Sequence, residues 1–290
     1  PAALCCAHPH GEIMSQSILI GIDVGGTFTD AVAVSAGEVR ATAKVPTRPE
    51  DLATSVLGAL DRVLARVDAH RVARLGLSTT LLTNLVAQGR TPPVALLLIP
   101  GPGRRADLLH LPGRTWILQG TVDFAGRETQ ALDEDEVRRA LDEALAAGYR
   151  HLAVVGKFSG RNPVHEDRVG EMAAAHHPAW RVLTGHQVTG RLNFPRRAAA
   201  CALRVMLEEP YRDFLEQLVA AFRGRGLDCP VAVLKADGGT LPLTAAENAP
   251  LHSVFSGPAA STMGVLAQRP AGATSVMVDV GGSTTDLALI

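Results

Sequence analysis

Residues 21–30 read Gly-Ile-Asp-Val-Gly-Gly-Thr-Phe-Thr-Asp, and residues 277–286 read Met-Val-Asp-Val-Gly-Gly-Ser-Thr-Thr-Asp. The two stretches match in register at the first Asp, the following Val, both Gly, one Thr and the last Asp. Each lies between two apolar runs that are typical of strands. An internal repeat of this kind indicates a duplicated structural unit. The sequence therefore predicts two β-hairpins of the same design, each turning at a glycine pair.

The residue types in these hairpins favour phosphate binding. A glycine pair lets backbone N–H groups approach an anion with no Cβ in the way, and Thr or Ser hydroxyls donate further hydrogen bonds. Carboxylates repel phosphate, so Asp23 and Asp279 are predicted to hold Mg²⁺ or its water shell. The predicted nucleotide contacts of the hairpins are Asp23, Gly25, Gly26, Thr27, Thr29 and Asp30, then Asp279, Gly281, Gly282, Ser283, Thr284, Thr285 and Asp286.

Other phosphate-binding motifs do not fit. The glycine spacing is not G-x-G-x-x-G, and a strand instead of a helix is predicted after each glycine pair, which argues against a Rossmann site. No Gly-Lys-[Ser/Thr] occurs, so a Walker loop is absent from the sequence. Two ordinary glycine-turn hairpins are the remaining alternative. It is less favoured because both copies carry paired Asp residues and hydroxyls.

The composition sets limits on the class of protein. The chain has 290 residues, 47% of them hydrophobic and 20% charged, with a formal net charge of -1. These values are typical of a globular protein and argue against a nucleic-acid or membrane partner held by charge. Four cysteines without a CxxC spacing indicate a reducing, cytoplasmic location. No stretch approaches the roughly 18–20 apolar residues of a membrane span, and residues 1–14 are interpreted as a disordered leader.

The apolar periodicity predicts an opening meander of strands, followed by helices that alternate with further strands. The predicted strands cover residues 18–24, 28–34, 39–45, 72–77, 94–99, 151–155, 181–183, 231–234, 275–280 and 285–290. The predicted helices cover residues 49–68, 81–88, 133–147, 165–175, 196–223 and 256–267.

The first hairpin resembles the opening motif of the hydantoinase/5-oxoprolinase family, and further motifs of that family follow in order. They are Ser78-Thr79-Thr80 with Thr83-Asn84, Asn162-Pro163-Val164-His165-Glu166, Asp237-Gly238-Gly239, Ser256-Gly257-Pro258-Ala259 and the second hairpin. The resemblance implies an α/β, actin-like ATPase (ribonuclease H-like) fold with mixed sheets flanked by helices and a truncated second half. It implies an N-terminal family domain over residues 15–190 and the incomplete start of a central domain over residues 191–290.

The same resemblance implies an ATP- and Mg²⁺-dependent hydrolase that opens a cyclic amide of the 5-oxoproline or hydantoin type by phosphorylating the amide oxygen. Because members of the family often act with a second subunit, a hydantoinase-type partner subunit is also a possibility that the resemblance raises. Cofactor contacts outside the hairpins are then expected at Thr79, Thr80, Asn84, Asp237, Gly238, Gly239, Ser256 and Gly257. A helix cap for Thr79 and Thr80, and a plain turn for Asp237-Gly238-Gly239, are equally good interpretations. His165 and Glu166 are interpreted as helix-start residues.

Two departures from the family pattern bear on the substrate. Leu77-Ser78 stands where the pattern has His-Gly, and Lys235-Ala236-Asp237 replaces a Gln-Ser-Asn-like stretch. Two other functions stay open from the sequence. One is a small-molecule kinase or an acetone-carboxylase-like subunit, and the other is a nucleotide-switched binding protein. The sequence does not identify a general base.

Overall fold

The computed structural model describes residues 17–103, 111–268, 274–282 and 285–290. The chain divides into two compact units, of which one comprises Pro1–Gly89 with Tyr211–Ile290 and the other comprises Arg90–Pro210. The predicted leader at residues 1–14 lies outside the described residues. The family-domain boundary near residue 190 stays a prediction.

The first unit opens with the predicted meander. Its elements are β1 (Ile18–Val24), β2 (Phe28–Ser35), β3 (Glu38–Pro46), α1 (Leu52–Leu64), β4 (Val72–Thr79) and α2 (Leu81–Ala87). Helix α1 begins where the Asp51 carboxylate accepts a hydrogen bond from the Thr54 N–H, as expected at a helix N-cap. It is shorter than the predicted 49–68. Strand β4 continues through Ser78 and Thr79, beyond its predicted end at Leu77.

The second unit is a parallel sheet with helices. Its elements are β5 (Val94–Ile99), β6 (Arg114–Ile117), β7 (Thr121–Val122), β8 (Glu128–Gln130), α3 (Glu134–Ala146), β9 (His151–Gly156), α4 (Val164–His176), β10 (Arg181–Thr184) and α5 (Gly185–Val188). In its described part, four parallel strands lie in the order β10-β9-β5-β6. The core lies where α3 and α4 cover β5 and β9, with Leu97, Val137 and Val154 fully buried.

The long helix α6 (Phe194–Arg223) spans the boundary between the units and contains Pro210, the last residue of the second unit. The remaining elements belong to the first unit. They are β11 (Val231–Leu234), β12 (Thr240–Pro242), α7 (Leu243–Ala246), α8 (Ser256–Gln268), β13 (Val276–Val280) and β14 (Thr285–Leu289).

The main sheet of the first unit has the expected ribonuclease H-like arrangement. Counted over the described residues, six strands lie in the order β12-β11-β4-β1-β2-β3. Strands β1 to β3 pair antiparallel, whereas β4 runs parallel to β1 and β11 runs parallel to β4. Strands β13 and β14 pair as a separate antiparallel hairpin.

The two faces of this sheet differ in composition. The alternating residues Ile18, Ile20, Ile22 and Val24 are buried on the face that packs against α1. The intervening positions of β1 include Gly21 and Asp23, and they lie on the face that α8 contacts. Because side chains alternate along a strand, Asp23 points away from the α1 core. In the part of the chain that the structure describes, no helix is long and apolar enough to cross a membrane.

Candidate functional site

The first hairpin turns where its sequence requires glycine. The Gly25 N–H donates to the Phe28 carbonyl at 3.0 Å, which closes the turn. A Cβ on Gly25 would lie 2.9 Å from that same oxygen, a distance at which the backbone would have to move. The Thr47 N–H donates to the Thr27 carbonyl at 2.9 Å and ties the turn to the end of β3. Gly26 and Thr27 are exposed at the tip.

The second hairpin repeats the pairing register of the first. Asp23 pairs with Asp30 across β1 and β2, and Asp279 pairs with Asp286 across β13 and β14. The sequence repeat is therefore a structural repeat. The predicted contacts Ser283 and Thr284 lie outside the described residues. A Cβ on Gly282 would collide with the Thr27 side chain, so the tips of the two hairpins are in contact.

Both hairpins line one cavity of about 420 Å³, which we call the hairpin cavity. The predicted residues on its wall are Asp23, Gly25, Gly26, Thr27, Asp30, Thr80, Asn84, Gly257, Asp279, Gly281, Gly282 and Asp286. Residues on the wall that sequence reasoning did not select are Phe28, Lys44, Pro258, Ser261 and Val280. The structure thus brings residues from four separate sequence motifs to one place within the first unit.

Polar side chains join β1, α2 and α8 beside this cavity. Thr80 donates to the Val24 carbonyl from its backbone N–H at 3.0 Å and from its hydroxyl at 2.9 Å. Asn84 Nδ2 donates to the Thr80 hydroxyl at 3.1 Å. Thr79 lies behind the wall, where the Ser256 hydroxyl accepts from its N–H at 3.3 Å and donates to its carbonyl at 3.2 Å. These bonds hold the N-terminus of α8, and with it Gly257, against the hairpin cavity.

The other predicted residues are not on the wall of the cavity. Thr29 is fully buried, and its hydroxyl pairs with the Thr47 hydroxyl at 2.9 Å. Asp237, Gly238 and Gly239 form the turn between β11 and β12, in which the Asp237 carboxylate accepts from the Gly239 N–H at 2.9 Å. Thr285 is exposed at the start of β14. A contact of these residues with a nucleotide stays a prediction.

The charges at the cavity are mainly negative. Lys44 Nζ lies 2.8 Å from both carboxylate oxygens of Asp30, and the Ser261 hydroxyl donates to Asp279. Asp23 Oδ1 is buried without a hydrogen-bond partner among the described residues. Burial raises the pKa of Asp23, and the charges of Asp30 and Asp279 raise it further, while the Ser78 hydroxyl and Lys44 oppose the shift.

An unpaired buried carboxylate oxygen beside two further carboxylates fits a divalent cation. In the described part of the chain no three His, Cys, Asp or Glu side chains converge as a complete metal site. Mg²⁺ needs no such cage, because it commonly binds one or two carboxylates, water and substrate phosphates. Asp23 and Asp279 therefore remain suitable ligands for it, and this assignment is a proposal.

Of the unpredicted residues on the wall, Lys44 could have been identified from the sequence, whereas Ser261 could not. Lys44 lies opposite Asp30 in the register of β2 and β3, so a correct register for the predicted meander would have placed it. Ser261 lies more than a helical turn after the start of α8. Its contact with Asp279 depends on how α8 packs against β13, for which the sequence carries no local signal.

The Asn-Pro-x-His-Glu motif lies in the second unit, where its glutamate connects neighbouring elements by hydrogen bonds. Glu166 is fully buried in the first turn of α4, as the helix-start interpretation expects. Its carboxylate accepts from the Gly156 N–H at 2.7 Å and from the His186 N–H at 2.8 Å. The His186 ring nitrogen Nδ1 is a further partner at 2.6 Å. Glu166 thus joins β9, α4 and α5.

The sequence is similar to those of known enzyme subunits. Over 94% of its length the chain is 27% identical to the caprolactamase subunit alpha of Pseudomonas jessenii, of which it covers 43%. Over 93% of its length it is 29% identical to the acetophenone carboxylase gamma subunit of Aromatoleum aromaticum, of which it covers 42%. The chain thus spans less than half the length of these relatives.

Solved structures show the same fold. A nucleotide-free acetone carboxylase, whose description concerns ATP-dependent acetone carboxylation, superposes with a TM-score of 0.80 at 22% identity over 94% of this chain and 44% of that one. The ATP-dependent caprolactamase of Pseudomonas jessenii superposes with a TM-score of 0.72 at 26% identity over 93% of this chain and 43% of that one.

The profile of the hydantoinase/oxoprolinase N-terminal region matches residues 19–177, which is more than half of the chain. The hydantoinase/oxoprolinase profile matches residues 197–290. The hairpin repeat, the cavity between the hairpins and these two matches lead to one conclusion: the chain belongs to the hydantoinase/oxoprolinase family.

Proposed function

We propose that this chain supplies the ATP-binding hairpins of an enzyme that opens a cyclic amide, of the 5-oxoproline, hydantoin or lactam type. The observation that carries the proposal is the hairpin cavity, where two glycine turns with the same pairing register meet beside Asp23, whose Oδ1 is buried without a hydrogen-bond partner among the described residues. A nucleoside triphosphate fits this cavity, because its successive phosphates can accept hydrogen bonds from the N–H groups of both turns. It also brings a divalent cation to the carboxylates.

Each part of the wall has a task in phosphoryl transfer. The backbone N–H groups of Gly26 and Thr27 hold phosphate oxygens from one side, and those of Gly281 and Gly282 hold them from the other, while the Gly25 N–H keeps the first turn closed. Lys44 places a cation at an otherwise acidic wall. Mg²⁺ held by Asp23 and Asp279 would neutralise charge on the phosphates. The protein's contribution to such a reaction is mainly position and charge compensation.

The chemistry explains why ATP is needed. Amide resonance protects an unstrained cyclic amide from attack by water. Transfer of the terminal phosphoryl group to the amide oxygen removes this protection and makes the carbonyl carbon electrophilic. Water then adds to that carbon, the ring C–N bond breaks to leave an acyl phosphate, and a second water releases the phosphate. The products are ADP, phosphate and the ring-opened acid, which is an amino acid from a lactam and an N-carbamoyl amino acid from a hydantoin. The names of the relatives describe them as subunits, which supports a partner subunit that completes the reaction.

ATP-dependent carboxylation is the second candidate. It is supported by the identity to the acetophenone carboxylase gamma subunit and by the fold shared with acetone carboxylase. In that reaction a carbonyl oxygen of a ketone would be activated at the same cavity. The two candidates share the hairpins and differ in the acceptor, so a substrate panel separates them.

The test is ADP release by the complete protein with Mg-ATP, with and without 5-oxoproline, hydantoins and simple lactams. We expect one class of cyclic amide to stimulate ADP release. The variants Asp23→Asn and Asp279→Asn remove carboxylate charge at nearly constant size, and we expect each to reduce stimulated turnover by about 100-fold or more.

Asp213→Asn is the matched control, because Asp213 is exposed on α6 in the same unit. It should keep full turnover. Stimulation by ketones with bicarbonate, and by no cyclic amide, would favour the carboxylase. ATP binding without stimulation by any acceptor, in the complete protein assayed together with its partner subunit, would overturn both candidates and favour a nucleotide-switched binding protein.

A further inference from the structure

A second cavity of about 430 Å³ lies on the sheet face that α8 contacts, and we call it the sheet-face cavity. Asp23 and Asp30 line both this cavity and the hairpin cavity. The two spaces therefore meet at Asp30 and at Asp23, which we propose as a Mg²⁺ ligand. A molecule in the sheet-face cavity can present a group to the site where the terminal phosphate would lie.

The floor of the sheet-face cavity lies close to the strand backbones, because small residues lie side by side on three strands. Gly21 of β1 pairs with Gly76 of β4, and Gly76 pairs with Ala232 of β11. Val32 and Leu234 stand beside this floor, and Ala260 of α8 reaches the cavity from above. The result is a mainly apolar space, as is common for pockets that hold small organic molecules.

The polar groups of the lining are neutral except at Asp23 and Asp30, where the two cavities meet. We call this place the shared edge. Ser78, Thr42 and Thr240 contribute hydroxyls, and Ser78 lies next to Asp23. The charged residues of the described lining are Asp23 and Asp30, and no lysine or arginine belongs to it.

From this lining we propose that the sheet-face cavity is the substrate pocket and that it selects an uncharged cyclic amide. This inference rests on the proposed function. The amide oxygen of such a substrate points to the shared edge, while its methylene groups lie on the glycine floor. A carboxylate-bearing substrate would bury its charge in an apolar space beside Asp23, and the nearby Lys44 is already paired with Asp30, so its burial is unfavourable.

The first test compares two substrates that differ by a single carboxylate. These are 5-oxoproline and 2-pyrrolidinone, each given to the complete protein with Mg-ATP and followed by ADP release. We expect kcat/KM for 2-pyrrolidinone to be higher by roughly tenfold or more, since an unpaired buried charge costs more than the 1.4 kcal/mol of a tenfold effect. A preference for 5-oxoproline would overturn the inference and leave the proposed function intact.

The second test changes the floor of the pocket. In Gly76→Ala the added Cβ lies 3.9 Å from its nearest neighbour, the Ile20 carbonyl oxygen, so the fold accommodates it. We expect KM for six- and seven-membered lactams to rise by roughly threefold or more, with KM for ATP unchanged.

Gly58→Ala is the control for the second test, because it adds the same methyl group on α1 of the same unit with no atom within 4 Å. Equal lactam KM values in Gly76→Ala and Gly58→Ala would overturn the location of the pocket. A response to no cyclic amide at all would overturn the proposed function and this inference together.

Discussion

At the scale of single residues, Asp23 shows how function conflicts with stability. Its carboxylate is held at the end of β1 by the backbone, with one oxygen buried and unpaired in the described structure. Desolvation without a partner is unfavourable for a charged group, and Asp30 and Asp279 add like charge. A divalent cation that binds with the nucleotide would make the charged form of Asp23 favourable. The position of this carboxylate is therefore suited to the ligand-bound protein and not to the ligand-free one.

This arrangement predicts that Asp23→Asn stabilises the nucleotide-free protein. The pKa of Asp23 is raised above its ordinary value of 3.8. A carboxyl group of this kind contributes stability that is complete below the ordinary pKa and is lost as the pH rises through the folded-state pKa. We therefore expect Asp23→Asn to raise the melting temperature at pH 7 in EDTA, and this advantage to shrink as the pH falls toward 4.

Differential scanning calorimetry measures the effect, with Asp213→Asn as the control that should not change. Mg-ATP should stabilise the unmodified protein by mass action and should stabilise Asp23→Asn much less. A lower melting temperature for Asp23→Asn in EDTA at pH 7 would show that the carboxylate has a structural partner and that our account of the site is wrong.

At the scale of elements, the hairpins could be predicted because their signal is local. Alternating apolar residues and a glycine pair define each of them, and the structure confirms β1, β2, β13 and β14 within two residues. The short strands β6, β7, β8 and β12 were missed, because most of their residues are exposed and each strand is too short to show a clear apolar alternation. The sheet-face cavity was missed for another reason, since it arises from register across three strands.

Helix α4 is held in place by the buried carboxylate of Glu166 in addition to its buried apolar residues Val169 and Ala173. Glu166→Ala would leave the N–H groups of Gly156 and His186 without their partner in the core of the second unit. We expect it to lower the free energy of unfolding by about 2–5 kcal/mol. Urea denaturation followed by circular dichroism measures this loss.

Glu171→Ala provides the comparison on the same helix. Glu171 is exposed and forms an ion pair with Arg168 at 3.2 Å, and exposed pairs of this kind contribute little. A similar small loss for both variants would mean that the Glu166 hydrogen bonds do not stabilise α4.

At the scale of the whole molecule, the second hairpin stands apart from the main sheet. Strands β13 and β14 form their own pair in the described structure. One face of the pair exposes the apolar side chains of Val276, Val278, Val280, Leu287 and Leu289, each more than half exposed. An isolated two-stranded hairpin is marginally stable, and a contiguous apolar face indicates a surface that another segment covers. The second hairpin, which forms one side of the hairpin cavity, is therefore only marginally stable by itself.

This weak support predicts that residues 1–290 alone bind Mg-ATP with a Kd above about 1 μM. The second hairpin must be ordered before its Gly281 and Gly282 can hold phosphate, and the binding free energy is reduced by the cost of that ordering. The complete protein, in which we propose that further chain covers the apolar face, should bind more tightly. Isothermal titration calorimetry of both proteins measures the difference. Submicromolar binding by residues 1–290 would show that α8 and the first hairpin hold the second hairpin in place without any cover, and the exposed face would then need another explanation.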